Sequence, residues 1–106
     1  MVGPGTPRPA APLLPWTVGI VVPARNEEEL IGRCLEALDA AVSELRRVAP
    51  GCVVDTVVVL DSCTDRTEEI VRGVPGVRTV STDVGTVGGA RAVGVAAVAE
   101  RVHDPR

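Results

Sequence analysis

Three runs rich in β-branched residues, each followed by a segment of different periodicity, set the pattern of this chain. The runs cover Thr17 to Pro23, Val53 to Leu60 and Val77 to Val80. Apolar runs without polar alternation are typical of strands that are buried on both faces of a parallel sheet. The pattern therefore predicts two buried β-strands, at the first and second runs, and a third strand at Val77 to Val80.

The segment after the first run predicts a long helix. Its apolar residues recur at three- and four-residue steps, which is the spacing of an amphipathic helix. These positions are Leu30, Ile31, Cys34, Leu35, Leu38, Ala41, Val42, Leu45 and Val48. We expect Asn26 to cap this helix with Glu29 completing a capping box, and Pro50 with Gly51 to end it. Cys34 should then be buried on the apolar face.

Two further helices complete the predicted order. Asp65 and Glu68 form a second potential capping box, which opens a short helix that reaches about Arg72. The string GTVGGARAVGVAAVAERV predicts a glycine-rich turn that leads into a helix of small residues ending near His103. The order β-α-β-α-β-α predicts a three-layer α/β fold with a parallel, Rossmann-like sheet of spatial order 3-2-1. One apolar edge of strand 1 would be unpaired, which favours self-association.

Composition limits the domain count and the partners. Residues 1–15 hold five prolines and two glycines, so we expect a disordered lead-in there, one domain over residues 16–103, and a tail at 104–106. The net charge of -3 argues against nucleic acid as a partner. No apolar run approaches the ~20 residues of a membrane span, and no signal peptide is evident. We therefore expect a cytoplasmic chain.

The predicted topology places one group of polar residues together. In open parallel sheets, ligands bind beyond the carboxyl ends of the strands. The residues there are Ala24, Arg25 and Asn26 after strand 1, and residues 61–64 after strand 2. Strand 1 is followed by PARNEEE rather than by G-x-G-x-x-G, and no phosphate-binding G-x-x-x-x-G-K-[ST] occurs. A dinucleotide or P-loop site is therefore excluded.

Three strings resemble the conserved blocks of family 2 glycosyltransferases, and together they cover roughly Val18 to Val102. VGIVVPARNEEELIGRCLEAL resembles the opening block, which commonly reads V-V-I-P-A-x-N-E-E. VVVLDSCTDRTEEIV resembles V-V-D-D-G-S-T-D-G-T, with Asp61 on the second aspartate of that block. VGTVGGARAVGVAAV resembles a glycine-rich turn ending in G-A-R-x-x-G, in which Arg91 matches a basic or polar position.

Within the second block the match is incomplete. Asp65 and Thr67 match directly, whereas Leu60 replaces the first aspartate and Cys63 stands where serine is usual. Asp61 is thus the acid that remains at the end of strand 2. A carboxylate there can accept hydrogen bonds from a nucleobase N–H or a ribose hydroxyl.

The resemblance implies the N-terminal, nucleotide-binding half of a GT-A fold, and a donor that is a nucleotide-diphosphate sugar whose hexose passes to an acceptor hydroxyl. The donor-binding residues that it implies are Pro23, Ala24, Arg25, Asn26, Asp61 and Arg91. Arg91, near the start of the last helix, could approach the diphosphate alongside free backbone N–H groups.

The resemblance also implies a divalent metal, Mg²⁺ or Mn²⁺, which the family holds with an Asp-x-Asp motif on a fourth strand. The sequence contains no Asp-x-Asp, so we expect this chain to hold no metal and to supply neither the metal site nor the catalytic base. We therefore expect a glycosyltransferase fragment that is inactive alone. The alternative is a non-catalytic α/β module that binds nucleotides or another protein.

Overall fold

Strands and helices alternate along residues 17–103, which is the part of the chain that the computed structural model describes. The elements are β1 (Thr17–Ala24), α1 (Ile31–Val48), β2 (Val53–Asp61), α2 (Thr67–Arg72), β3 (Val77–Thr82) and α3 (Val87–His103). The predicted order of elements is confirmed. The expected lead-in and the tail at 104–106 lie outside the described residues.

The three strands form one parallel sheet with β2 in the centre. β1 pairs with β2 from Thr17 opposite Val53 onwards, and β2 pairs with β3 up to Asp61 opposite Thr82. The middle of β2, residues 57–59, is completely buried. The predicted order 3-2-1 is confirmed, and within the described residues the outer edges of both β1 and β3 are unpaired.

Helices cover both faces of the sheet, and successive residues of β2 face opposite layers. Val58 and Leu60 pack in a core with residues of α1 and α2, whereas Val57 and Val59 pack in a second core with residues of α3. This alternation is the two-residue period of a strand. The structure is therefore the three-layer α/β fold that the sequence predicted.

Helix α3 lies unusually close to the sheet because glycines stand at the contact. A Cβ on Gly94 would overlap Val21 Cγ1 and lie 2.9 Å from Val59 Cγ2, and a Cβ on Gly19 would lie 2.5 Å from Val98 Cγ1. Ala90, one turn before Gly94, is also buried. The small residues of the G-A-R-x-x-G string are therefore packing positions, which bring the start of α3 to the carboxyl edge of the sheet.

The helix starts differ from the predictions. Helix α1 begins at Ile31, and its N-terminal flanking residue Leu30 makes no side-chain cap, so the predicted Asn26–Glu29 capping box is wrong. Residues 27–30 instead form a turn in which the Glu27 carbonyl accepts the N–H groups of Leu30 and Ile31, at 3.0 and 2.8 Å. The side chain of Asn26 is engaged elsewhere, as described below.

The predicted capping box of α2 is also wrong in part. Asp65 does accept the first helical amide, that of Thr67, at 2.9 Å, but Glu68 binds Arg72 one turn further on rather than turning back. Cys34 is exposed rather than buried, because the buried face of α1 runs through Ile31, Leu35 and Val42.

Candidate functional site

Asp61 is the last residue of β2 and is almost completely buried. It follows Leu60, which faces the α1 and α2 layer, so the strand period turns Asp61 towards the α3 layer. Both of its carboxylate oxygens accept the backbone N–H of Gly85 at 3.1 Å, and the Ser62 hydroxyl donates to one of them at 3.2 Å. Asp61 thus joins the end of β2 to the loop between β3 and α3.

Leu60 stands on the other side of the strand, in the hydrophobic core with Ile31 and Leu35. It is 2% exposed. A charged side chain there would lose its hydration without a partner, which is costly. Leu60, which stands where the resembled block has its first aspartate, is therefore accommodated by packing, and Asp61 is the buried carboxylate at this edge.

Arg25 reaches the same loop from the end of β1. Its Nη1 atom donates to the carbonyl oxygen of Gly85 at 3.4 Å, and its side chain is exposed. Arg25 and Asp61 come from different strands, yet they bind the two backbone polar groups of one residue. The sequence placed Arg25 and Asp61 at a common edge, and the structure brings them together on Gly85.

Asn26 connects the first two loops. Its Oδ1 atom accepts the N–H groups of Thr64 and Asp65, at 2.8 and 3.2 Å. Its φ of 51° lies in the left-handed region, which asparagine tolerates better than most residues. Ser62, directly after β2, has a φ of 56°. Two strained residues at one edge are typical of a functional loop region.

Further hydrogen bonds hold these two loops together. The buried Thr67 hydroxyl accepts the Glu27 N–H at 2.7 Å and donates to Asp65. Asp65 accepts the Glu28 N–H at 3.2 Å, and the Glu28 carboxylate accepts the Arg66 N–H at 3.0 Å. The T-D-x-T string is thus a structural clasp between the β1–α1 and β2–α2 loops.

The charge of Asp65 is stabilised by this clasp. Partial burial acts to raise the pKa of Asp65, but hydrogen bonds from the Thr67 hydroxyl and from the backbone N–H groups of Thr67 and Glu28 outweigh it, so that the pKa is lowered. The carboxylate is therefore ionised and committed to the protein's own backbone.

The remaining predicted residues border this edge at different depths. Pro23 is half-buried and Ala24 is buried, and the Ala24 carbonyl accepts the Cys63 thiol at 3.4 Å. Arg91 is exposed in the second turn of α3. The Arg91 side chain makes no hydrogen bond within residues 17–103, so the structure does not join it to Asp61.

Two residues of the site were missed in the sequence. Gly85, with a φ of 77°, supplies the backbone that Asp61 and Arg25 bind. The Thr86 hydroxyl accepts the N–H of Gly89 at 3.0 Å and so caps α3. Thr86 could have been found in the sequence, because a threonine directly before a helical segment is a typical N-cap. The contacts of Gly85 could not, because they join residues that are distant in the chain.

Charge differs between the two sides of this edge. On the side of α1 and α2, a shallow depression of about 370 Å³ is lined by Asn26, Glu27, Glu28, Glu29, Leu30 and Asp65. A phosphate there would meet repulsion from carboxylates. Arg25 lies on the other side, against the loop that leads into α3.

A separate cleft of about 70 Å³ lies at the amino ends of the strands, between α1 and Val77. It is at the opposite end of the sheet from Asp61 and Arg25.

The described residues form neither a potential metal cluster nor a membrane-spanning helix. Residues 17–103 contain no group of three or more His, Cys, Asp or Glu side chains that could hold a metal ion. None of the helices in this part of the chain is both long and apolar enough to cross a membrane.

Comparison with known proteins gives one match. The sequence model described as "Glycosyl transferase family 2" matches residues 19–102, which is well over half of the chain. Neither the curated proteins nor the solved structures contain a match. The matched range includes the three strings that resemble the family's blocks except Val18, the first residue of the first string, and the described elements follow them in order. The chain belongs to glycosyltransferase family 2.

Proposed function

We propose that this chain binds the nucleoside diphosphate part of a nucleotide-sugar donor at the carboxyl edge of its sheet, on the side of α3. The observation that carries the proposal is the convergence of Asp61 and Arg25 on Gly85, immediately before the N-terminus of α3. A buried acceptor, a cation and the first amides of a helix are the groups that recognise a nucleoside and a diphosphate.

Each group has a distinct role in this proposal. Asp61 accepts hydrogen bonds from the base or the ribose. Arg25 and Arg91 bind the diphosphate, together with the backbone N–H groups at the start of α3. Pro23, Ala24 and Asn26 form the wall of the pocket on the β1 side. The acidic depression on the opposite side repels phosphate and so favours one orientation of the ligand.

The reaction that follows from the family is transfer of a hexose from this donor to an acceptor hydroxyl. A divalent metal would neutralise the departing diphosphate, but the carboxylates of the described residues do not fit such an ion. The Asp61 carboxylate accepts the Gly85 N–H, and the Asp65 carboxylate accepts the Thr67 N–H within the clasp. No third His, Cys, Asp or Glu side chain of the described residues completes a metal site with them. We therefore propose that these residues bind the donor and that metal and base lie outside them.

The first prediction concerns Asp61→Asn. We expect the affinity for UDP or GDP to fall about tenfold, because a charge-assisted hydrogen bond becomes a neutral one. Isothermal titration calorimetry with each nucleotide measures this change. Asp39→Asn makes the same charge change at an exposed position of α1 and serves as the control. An affinity of Asp61→Asn equal to or above that of wild type would contradict a net contribution of this carboxylate to nucleotide binding.

A non-catalytic nucleotide-binding or interaction module is the alternative, and the absence of a metal-ligand group among residues 17–103 favours it. An assay with nucleotide sugars, Mg²⁺ or Mn²⁺ and acceptor alcohols separates the two. Transfer by a protein that contains this chain, sensitive to Asp61→Asn, supports the glycosyltransferase. Nucleotide binding without transfer in the same protein supports the module.

We propose that the protein is cytoplasmic, because the reducing conditions of the cytoplasm suit its three free cysteines.

A further inference from the structure

The loop between β3 and α3 folds back over the carboxylate that the proposed function needs. Thr82 pairs with Asp61 in the sheet, and three residues later the Gly85 N–H donates to both Asp61 oxygens. With this contact in place Asp61 is only 3% exposed. A ligand can reach the carboxylate only if residues 83–85, which we call the strap, move away.

The strap is held by few contacts. All three of its residues are exposed, and nothing lies within 4 Å of the position that a Cβ on Gly85 would occupy. Besides the Asp61 contact, Arg25 donates to the Gly85 carbonyl. The two side chains that hold the strap are thus the two groups that we assign to the base or ribose and to the diphosphate.

We propose that the strap closes the nucleotide site in the free protein and opens when a nucleoside diphosphate binds. This inference rests on the proposed function. In the closed state the Gly85 N–H takes the place of a ligand N–H or O–H at Asp61. Opening exposes the carboxylate and releases the Arg25 guanidinium from the Gly85 carbonyl for the diphosphate. Since only the open state binds, the measured affinity is lowered by the closed fraction.

The test compares two glycine substitutions. Gly85 has a φ of 77°, where alanine is strained, and opening the strap relieves that strain. Gly85→Ala should therefore lower the closed fraction and raise the affinity for UDP or GDP about fivefold. Gly76→Ala is the matched control, because Gly76 has a φ of 80°, equally open surroundings and a place in the turn before β3. It should lose similar stability and leave the affinity unchanged.

Amide hydrogen exchange of the wild-type protein gives an independent readout. In the free protein we expect the Gly85 N–H to be protected by Asp61. Saturation with UDP or GDP should remove that protection, while the N–H of Ala90, which donates to the Thr86 carbonyl at 2.9 Å, should stay protected. This readout does not depend on how well either alanine variant folds.

The outcomes separate the two proposals. If wild type binds nucleotide and Gly85 stays protected, or if the two alanine variants bind alike, the strap is wrong and the proposed function stands. If neither wild type nor Gly85→Ala binds UDP or GDP, the proposed function fails and the strap fails with it. Asp61→Asn is unsuitable here, because it weakens the strap and the ligand contact together.

Discussion

At the scale of single residues, the polar side chains at the carboxyl edge divide into two groups. Asp65 and Thr67 bind neighbouring backbone and hold two loops together, whereas Arg25 and Asp61 meet at the strap. The first pair therefore serves architecture, and for the second pair we propose ligand contact. Their hydrogen-bond partners distinguish the two pairs.

Thr67 allows a test of the clasp. Thr67→Val keeps the shape of this fully buried side chain but removes the acceptor of the Glu27 N–H and a donor to Asp65. We expect the free energy of unfolding to fall by about 2 kcal/mol. Thr67→Ser keeps the hydroxyl and should cost about 1 kcal/mol or less. Urea denaturation measures both, and a serine variant as unstable as the valine variant would contradict the role of the hydroxyl.

At the scale of elements, the fold followed from apolar periodicity and the helix starts did not. The β-branched runs predicted the positions of β1, β2 and β3. Of the two strands predicted to be buried, β2 is buried along most of its length, whereas β1, at the edge of the sheet, is mostly half-buried or exposed. Asn26 and Glu29 match the capping-box pattern, but Asn26 Oδ1 binds the amides of Thr64 and Asp65 instead. Those partners are distant in sequence, so no local pattern could have shown them.

The close packing of α3 gives a prediction at this scale. Gly94→Ala should destabilise the protein by about 2 kcal/mol, because the methyl group would overlap Val21 and Val59. Gly88→Ala, where a methyl group meets nothing within 4 Å, should stabilise it by about 0.5 kcal/mol through helix propensity. Thermal unfolding of both variants checks this, and similar effects of the two would show that α3 does not pack as described.

At the scale of the whole molecule, one ion pair joins three elements. Arg78 on β3 donates to both carboxylate oxygens of Asp55 on β2, at 2.8 and 2.9 Å, and to the Ala97 carbonyl of α3 at 3.2 Å. The Arg78 guanidinium lowers the pKa of Asp55, against the opposing effect of burial. The ion pair therefore ties α3 to the sheet at the end opposite the strap.

This pKa shift predicts a pH dependence. Because the pKa of Asp55 is lower in the folded state, its contribution to stability is present above the unfolded pKa and is lost as the pH falls through the folded pKa. Asp55→Asn should reduce stability at pH 7 and flatten its decline as the pH falls below the unfolded pKa of about 3.9. Asp39→Asn, at an exposed position, should change neither. An unaltered acid profile for Asp55→Asn would contradict the prediction.

The two outer strands of the sheet differ in polarity, which bears on association between copies of the chain. β1 is the apolar edge, while β3 carries Arg78 and hydroxyl side chains, so we propose that copies of the chain associate through β1. Thr17→Lys, at an exposed position of β1, should weaken association in sedimentation velocity. Ser81→Lys, at an exposed position of β3, is the control. A monomeric wild type, or an equal effect of the two lysines, would exclude association through β1.

The parallel register also fixes an order in which the strands can join. The chain between the paired residues Thr17 and Val53 includes the whole of α1, whereas the chain between Thr56 and Val77 includes only the shorter α2. Closing a longer loop costs more chain entropy, so the β2–α2–β3 unit can assemble first and β1 joins it later. On the ribosome, β1 is made first and stays without its partner until β2 emerges. During that interval the most apolar strand of the sheet is open to misassembly.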